Sequence, residues 1–226
     1  MKDVIIYFVK EPKSGLVKTR LYPSLTRHQA AEIYKCLVRI NLQTTVENSL
    51  WDVVISYRGR RTTIQKAFGK NPRYVNQGMG DLGVRMENAF KKVRLFQGQK
   101  IILMGSDQLG VTKQLIKDAF KRLDRYDVVL GPAWDGGFYL MGIRKSLPES
   151  FFSRISWSSD KTLSECLKKF GPYHLSVTLL KSLGDVDTYE DLAFHYWKMN
   201  NKKKNLAWIH QLDQILSRRA YTTSDP

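Results

Sequence analysis

The chain has 226 residues, 42% of them hydrophobic, enough for one domain with a sizeable core and at most an appendage. Its formal charge of +16 fits a polyphosphate ligand, nucleic acid, an anionic membrane surface or a merely solvated exterior, and composition does not choose among them. Two cysteines exclude a disulfide scaffold, and apolar runs that break within about ten residues fall short of the ~20 a membrane span needs.

In chain order the pattern alternates strand and helix. Asp3 to Val9 is apolar without alternation and predicts a buried strand; with no small-residue cleavage site behind it, it does not read as a signal peptide. Thr26 with Gln29 is a capping box, Leu25 fits a hydrophobic staple, and Ala30, Ala31, Ile33, Tyr34, Leu37, Val38 and Ile40 carry helical spacing. A strand Trp51 to Tyr57, a short helix Thr62 to Phe68 and a short strand Arg73 to Val75 follow. Then come a helix Gly83 to Val93, a strand Lys100 to Gly105 and a helix Thr112 to Leu123. Tyr126 to Leu130 and Phe138 to Ile143 are strands, Ser159 to Phe170 a helix, Leu175 to Leu180 a strand, and Tyr189 to Met199 the last core helix.

This spacing predicts an α/β fold with right-handed crossovers and a mostly parallel central sheet flanked by helices. Cys36 and Cys166 fall in helical apolar segments and read as buried free thiols of a reducing, cytoplasmic compartment. The domain is expected over residues 1–199 and an appendage over 200–226. In the appendage a basic hinge, Asn200 to Asn205, precedes an amphipathic stripe of Leu206, Ile209, Leu212, Ile215 and Leu216, ending at Arg218 and Arg219. That stripe needs cover from the core, from a second subunit in a homodimer, or from a peripheral membrane contact.

Residues able to do chemistry sit where strands meet loops. Gly15 permits a sharp turn, and loop amides with Lys18 and Arg20 can hold phosphate oxygens; alone, the segment fits an exposed basic turn equally well. Gly78 to Arg85 is a glycine-rich entrance to a helix, suited to an anion or a base edge. Asp107 ends an apolar strand, where ligands bind in open α/β sheets; it either begins the turn into the next helix or holds a cation or ligand. Asp135-Gly136-Gly137 is a hairpin-type turn that could equally admit a substrate. Asp185 and Asp187 face the same way in extended chain and repel, unless a cation lies between them or one caps the helix at Tyr189. Oxygen ligands without a nearby histidine favour Mg²⁺ or Mn²⁺. His28, His174, His195 and His210 are scattered and form no zinc pattern.

Taken together, Lys10 to Leu21, Gln77 to Met86, Gly105 to Asp107, Gly131 to Gly142, Ile155 to Ser158 and Asp185 to Leu192 resemble the motifs of the DUF2064 family. That family comprises glycosyltransferase A-like transferases related to 2-phospholactate and molybdenum-cofactor guanylyltransferases. The resemblance spans residues 1–198 and implies a GT-A, nucleotide-diphospho-sugar transferase fold that binds a nucleotide or sugar nucleotide with Mg²⁺ or Mn²⁺. It implies that Gly15, Lys18, Thr19 and Arg20 hold phosphates, that Asp81, Arg85 and Ser106 border the nucleotide, and that Asp107 and Asp187 bind the metal. Asp135, Gly136 and Gly137 would face the acceptor, with Lys18, Arg20 and Asp135 as the catalytic candidates. Two positions depart from the family pattern: Gln108-Leu109 lacks the usual proline, and Tyr189 replaces another in the closing motif.

The expected activity is metal-dependent transfer from a nucleotide-activated donor, with a sugar nucleotide (a glycosyltransferase) the first reading. A nucleotidyltransferase, joining an NTP to a phosphorylated acceptor with release of pyrophosphate, is the alternative. The third reading, a non-catalytic basic protein on nucleic acid or a membrane surface, leaves the ordered acidic motifs unused; no nucleic-acid partner is expected.

Overall fold

The computed structural model of the chain describes residues 2–46, 50–93, 99–106, 108–201 and 206–217. Strand β1 (Asp3–Lys10) runs parallel to β2 (Trp51–Arg58) and to β4 (Ile101–Gly105), and β2 pairs in parallel with β3 (Arg73–Asn76). The continuous apolar run of β1 is explained by burial on both faces. Ile5, Tyr7 and Val9 enter one core with Val38, Ile55, Ile64 and Ile116, while Val4 and Ile6 enter another with Met86, Phe151 and Phe170. Helices α1 (Arg27–Val46), α2 (Arg61–Phe68) and α4 (Lys113–Arg122) supply the first core; α3 (Leu82–Val93) and α5 (Thr162–Phe170) supply the second.

Strand β6 (Phe138–Ile143) lies antiparallel between β4 and β5 (Val128–Pro132), and β7 (Val177–Leu179) closes the edge beside β5. The seven-stranded order is β3-β2-β1-β4-β6-β5-β7, mostly parallel and flanked by helices. Strand β5 starts two residues later than the apolar pattern predicts. Tyr126 still closes the helical turn onto the Arg122 carbonyl, and Asp127 is tied to Ser176. The strand extends instead through Pro132, where the register slips against β6, as expected of a residue without an N–H.

The caps explain two helix starts. Thr26 and Gln29 bond reciprocally at the head of α1. At α6 (Tyr189–Asn201) the cap is neither Asp185 nor Asp187 but Thr188 with Asp191, whose carboxylate accepts the Thr188 amide at 2.8 Å while Thr188 Oγ1 accepts the Asp191 amide at 3.2 Å. Helix α7 (Leu206–Ser217) lies on α1: Gln29 donates to the Ile215 carbonyl and Cys36 to Gln211, while Ile209 and Leu212 are buried with Leu21, Leu37 and Leu192. Residues 202–205, Arg218 and Arg219 lie outside the described residues. Both cysteines are buried free thiols, pushed up to about 12 by burial. No described helix is long and apolar enough to cross a membrane.

One buried carboxylate fixes the β5–β6–β7 edge. Burial alone would raise Asp127, but hydrogen bonds from Ser176, Lys145 and Arg144 outweigh it and hold the group well below its ordinary 3.8. Its contribution to stability is therefore complete above about pH 4 and is lost as pH falls below the unfolded-state value. Urea denaturation measured from pH 6 down to pH 2 is expected to show a shallower loss in Asp127→Asn than in the unaltered chain.

Candidate active site

The strand order reverses between β1 and β4, since β2 and β3 build outward on one side and β4 begins the other. Ligands in open α/β sheets bind beyond the carboxyl ends of the strands at such a reversal. A cleft of about 250 Å³ lies there, with Lys10, Tyr34, Gln77, Arg85, Ser106 and Ser158 among its walls. Two of these, Arg85 and Ser106, are expected site residues; Lys10, Tyr34, Gln77 and Ser158 are additions from the structure.

A relay of hydroxyls braces the floor. Tyr34 OH accepts the Lys10 amide at 2.8 Å and lies 3.4 Å from Ser106 Oγ, which donates to the Phe8 carbonyl at 2.7 Å. The Ser106 side chain thereby ties the end of β4 to β1. On the α3 side, Arg85 donates to Gln77 Oε1 at 3.2 Å and to the Asp81 carbonyl at 3.1 Å, and Gln77 is itself anchored on the Ser56 carbonyl. Burial, then the nearby Arg58, lowers Arg85, though an arginine remains cationic throughout the working range. Asp81 is an N-cap: its Oδ1 accepts the Val84 amide at 2.9 Å, and it is not among the residues lining the cleft.

The segment after β1 turns at Gly15, whose φ of +90° favours glycine, and again at Lys18, which adopts left-handed geometry. The short helical turn Thr19–Leu21 follows. Thr19 and Arg20 are exposed, and among the described residues their amides find no backbone acceptor. Lys18 is only 4% exposed along its side chain and reaches Asp187 Oδ1 at 3.1 Å; the exposed Arg20 meets Asp187 Oδ2 at 3.4 Å. Three expected residues from opposite ends of the chain thus come together. Asp185 turns elsewhere and accepts from Gln108 Nε2 at 2.7 Å.

Asp135 sits exposed in the β5–β6 turn, with its Oδ1 accepting the Gly137 amide at 2.8 Å. Gly136 has φ +85°, and a Cβ there would lie 2.3 Å from the Asp160 carbonyl, so the turn admits no side chain at that position. None of Asp135, Gly136 and Gly137 is among the residues that line the cleft.

Asp107 lies outside the described residues, but its neighbours are placed. Asn41, 2% exposed in α1, directs Nδ2 at the Ser106 carbonyl (2.9 Å) and the Gln108 carbonyl (2.8 Å), clamping the turn from both sides. Its own carbonyl accepts from Tyr7 OH and Thr45 Oγ1. Asn41→Ala leaves two buried carbonyls without this donor, at about 1–3 kcal/mol each. Chemical denaturation should therefore show about 2–6 kcal/mol less stability.

Among the described residues, no three His, Cys, Asp or Glu side chains gather to hold a metal. The candidate donors of Asp107 and Asp187 are hard carboxylate oxygens, the right kind for Mg²⁺ or Mn²⁺. Asp187 gives both of its oxygens to cationic side chains. A divalent ion arriving alone would meet two positive neighbours, whereas one arriving with a polyphosphate would bring the anion those neighbours can hold.

Comparison with known proteins agrees with this fold. The DUF2064 family model, described as an uncharacterized protein conserved in bacteria, matches residues 41–159. A protein of Desulfovibrio desulfuricans G20, put forward as a nucleotide-diphospho-sugar transferase, shares 30% identity and superposes with a TM-score of 0.85 over 96% of this chain and 98% of its own. The 2-phospho-L-lactate guanylyltransferase of Methanocaldococcus sp. (strain FS406-22) is 27% identical over 181 residues, 78% of this chain and 74% of its own. The 4-diphosphocytidyl-2C-methyl-D-erythritol synthase of Anaerococcus prevotii DSM 20548, at 13% identity and a TM-score of 0.55 over 87% of this chain and 96% of its own, shares the fold.

Proposed function

The chain belongs to the DUF2064 family and is a transferase of the nucleotidyl or nucleotide-sugar kind, and from that premise we propose that it carries out nucleotidyl transfer. An oxyanion of a phosphorylated acceptor attacks the α-phosphorus of an NTP; the bond from that phosphorus to the β-phosphate oxygen breaks, and pyrophosphate leaves.

The lining of the cleft carries this reading. Its described walls hold the cations Lys10 and Arg85 and several hydroxyls, but no carboxylate, imidazole or thiol. A phosphorylated acceptor is already an oxyanion and asks only for such cations, whereas a sugar hydroxyl needs its proton removed, a task that would fall to Asp135 in the neighbouring turn. Transfer to phosphorus needs positioning and charge stabilisation from the protein more than covalent chemistry. The 27% identical guanylyltransferase supports the same choice.

Lys10 and Arg85 would hold the nucleotide over the ends of β1 and β4. Lys18, Arg20 and the exposed amides after Gly15 would hold the phosphates that leave. Asp107 and Asp187 would bind Mg²⁺ or Mn²⁺, whose charge neutralises the departing pyrophosphate. Asp135 to Gly137, fixed in their turn, would present the acceptor.

The test is product analysis with Mn²⁺ or Mg²⁺ present. The purified chain is incubated with each of the four NTPs and a panel of phosphorylated acids, and separately with sugar nucleotides. Pyrophosphate release that depends on the acceptor is the expected result. Release of a nucleoside diphosphate from a sugar nucleotide, with no pyrophosphate from any NTP, would overturn nucleotidyl transfer in favour of glycosyl transfer.

A further inference from the structure

The apolar stripe of α7 is packed on α1, and an open aromatic surface lies on α6 instead. Leu192 and His195 form the buried side of α6. On its outer side Glu190, Ala193, Phe194, Trp197 and Lys198 are all exposed, at the spacing of a single helix face. Trp134, from the β5–β6 turn, extends this face: its ring centroid lies 6.3 Å from that of Phe194. Trp134, Phe194 and Trp197 keep 62%, 44% and 63% of their surface open. At about 150–250 Å² for an aromatic side chain, they expose roughly 300 Å². A patch of that size on a single chain often marks an interaction site.

The charges around the patch describe what covers it. Glu190 precedes the aromatics of α6 and Lys198 follows them; among the described residues neither enters an ion pair. The Lys198 ammonium instead lies over the Phe194 ring, 5.3 Å from its centroid. An anionic lipid surface selects cations alone, yet Glu190 and the exposed Asp135 beside Trp134 put carboxylates in this face. A second copy of the chain fits both signs. Glu190 and Lys198 each stand four residues from Phe194. Turned end for end about a two-fold axis at Phe194, α6 sets Glu190 against Lys198 of the partner subunit and Lys198 against Glu190 of the partner subunit. Both pairs close at once, with the aromatics between them.

We propose that the chain forms a two-fold symmetric homodimer through antiparallel packing of α6, with Phe194, Trp197 and Trp134 at its centre and Glu190–Lys198 pairs at its ends. The interface borders the Asp135–Gly137 turn, which Trp134 leads into. The aromatic area falls short of the ~800 Å² that each partner gives to a standard interface, so the dimer dissociates at micromolar concentration. This assignment does not rest on the transfer reaction, and its test needs no nucleotide.

The test is sedimentation of the full chain from about 1 to about 300 µM, a range that brackets micromolar association. The mass is expected to rise from one chain to two. Trp197→Ser should weaken association about thirtyfold or more, as loss of a central aromatic does. Glu190→Lys and Lys198→Glu should each weaken it about tenfold or more by setting like charges face to face, and the two together should restore it. All three positions are exposed, so the variants should keep the circular dichroism of the unaltered chain. A dimer indifferent to Trp197→Ser, or a double exchange no tighter than the single reversals, would overturn this interface. So would a single-chain mass at every concentration; co-sedimentation of that monomer with phosphatidylserine vesicles, lost in Trp197→Ser, would give the face to a membrane instead.

Discussion

Lys18→Met is expected to lower turnover roughly a hundred- to a thousandfold while the chain stays folded. Lys18 carries its charge on a side chain that is 4% exposed, beside an arginine and a carboxylate that both reach the same surface. Preorganised charge aimed at a leaving group is worth about 3–4 kcal/mol in the transition state, because nothing has to reorganise when the charge develops. The structural cost is smaller. Methionine retains the length and apolar stem of the lysine, and Asp187, about a third exposed, keeps Arg20, so partial solvation limits the loss to about 1 kcal/mol. The two effects separate experimentally. Kinetics should fall steeply while the thermal midpoint moves by only a few degrees, and Lys18→Arg should recover part of the rate. A rate loss no larger than the stability loss explains would assign Lys18 to holding the loop and not to chemistry.

The fold was largely legible because its signals are local. Asp3 to Val9, Ile101 to Met104 and Val128 to Leu130 are apolar runs long enough for strands buried on both faces, and Thr26 with Gln29 marks a helix start through two residues. The Thr188–Asp191 cap is equally local, a hydroxyl and a carboxylate three residues apart. The cleft was less legible. Tyr34 belongs to the apolar stripe of α1, and nothing in that spacing says its hydroxyl will meet Ser106, 72 residues away. Gln77 looks like an ordinary polar residue after an edge strand until its amide is seen anchored on β2 and its carbonyl oxygen receiving Arg85. Lys10 could have been found, since a lysine ending a buried strand at the sheet's carboxyl edge already has a stated position. The meeting of Lys18 with Asp187 joins residues 169 apart, a distance over which sequence spacing carries no geometric information.

Asp107→Ala is expected to abolish metal-dependent nucleotide binding without unfolding the chain. The turn on either side is held by groups that do not involve the side chain at 107: Ser106 Oγ on the Phe8 carbonyl, and Asn41 on the carbonyls of Ser106 and Gln108. Removing one carboxylate therefore leaves those bonds in place, and the melting curve should stay close to that of the unaltered chain. Binding should respond very differently. A divalent ion offsets phosphate charge by several kcal/mol, and losing its ligand costs roughly a thousandfold in metal-dependent affinity. The charge around Asp187 adds an order of events that can be measured. Because Lys18 and Arg20 stand against its two oxygens, Mn²⁺ titrated alone should bind weakly to the unaltered chain and far more tightly when nucleotide is present. In Asp107→Ala that difference should disappear, leaving only weak nucleotide binding through Lys10, Arg85 and the loop cations. Titration of nucleotide with Mn²⁺ that is unchanged in the variant would remove Asp107 from the metal site, and tight Mn²⁺ binding without nucleotide would refute the charge argument at Asp187.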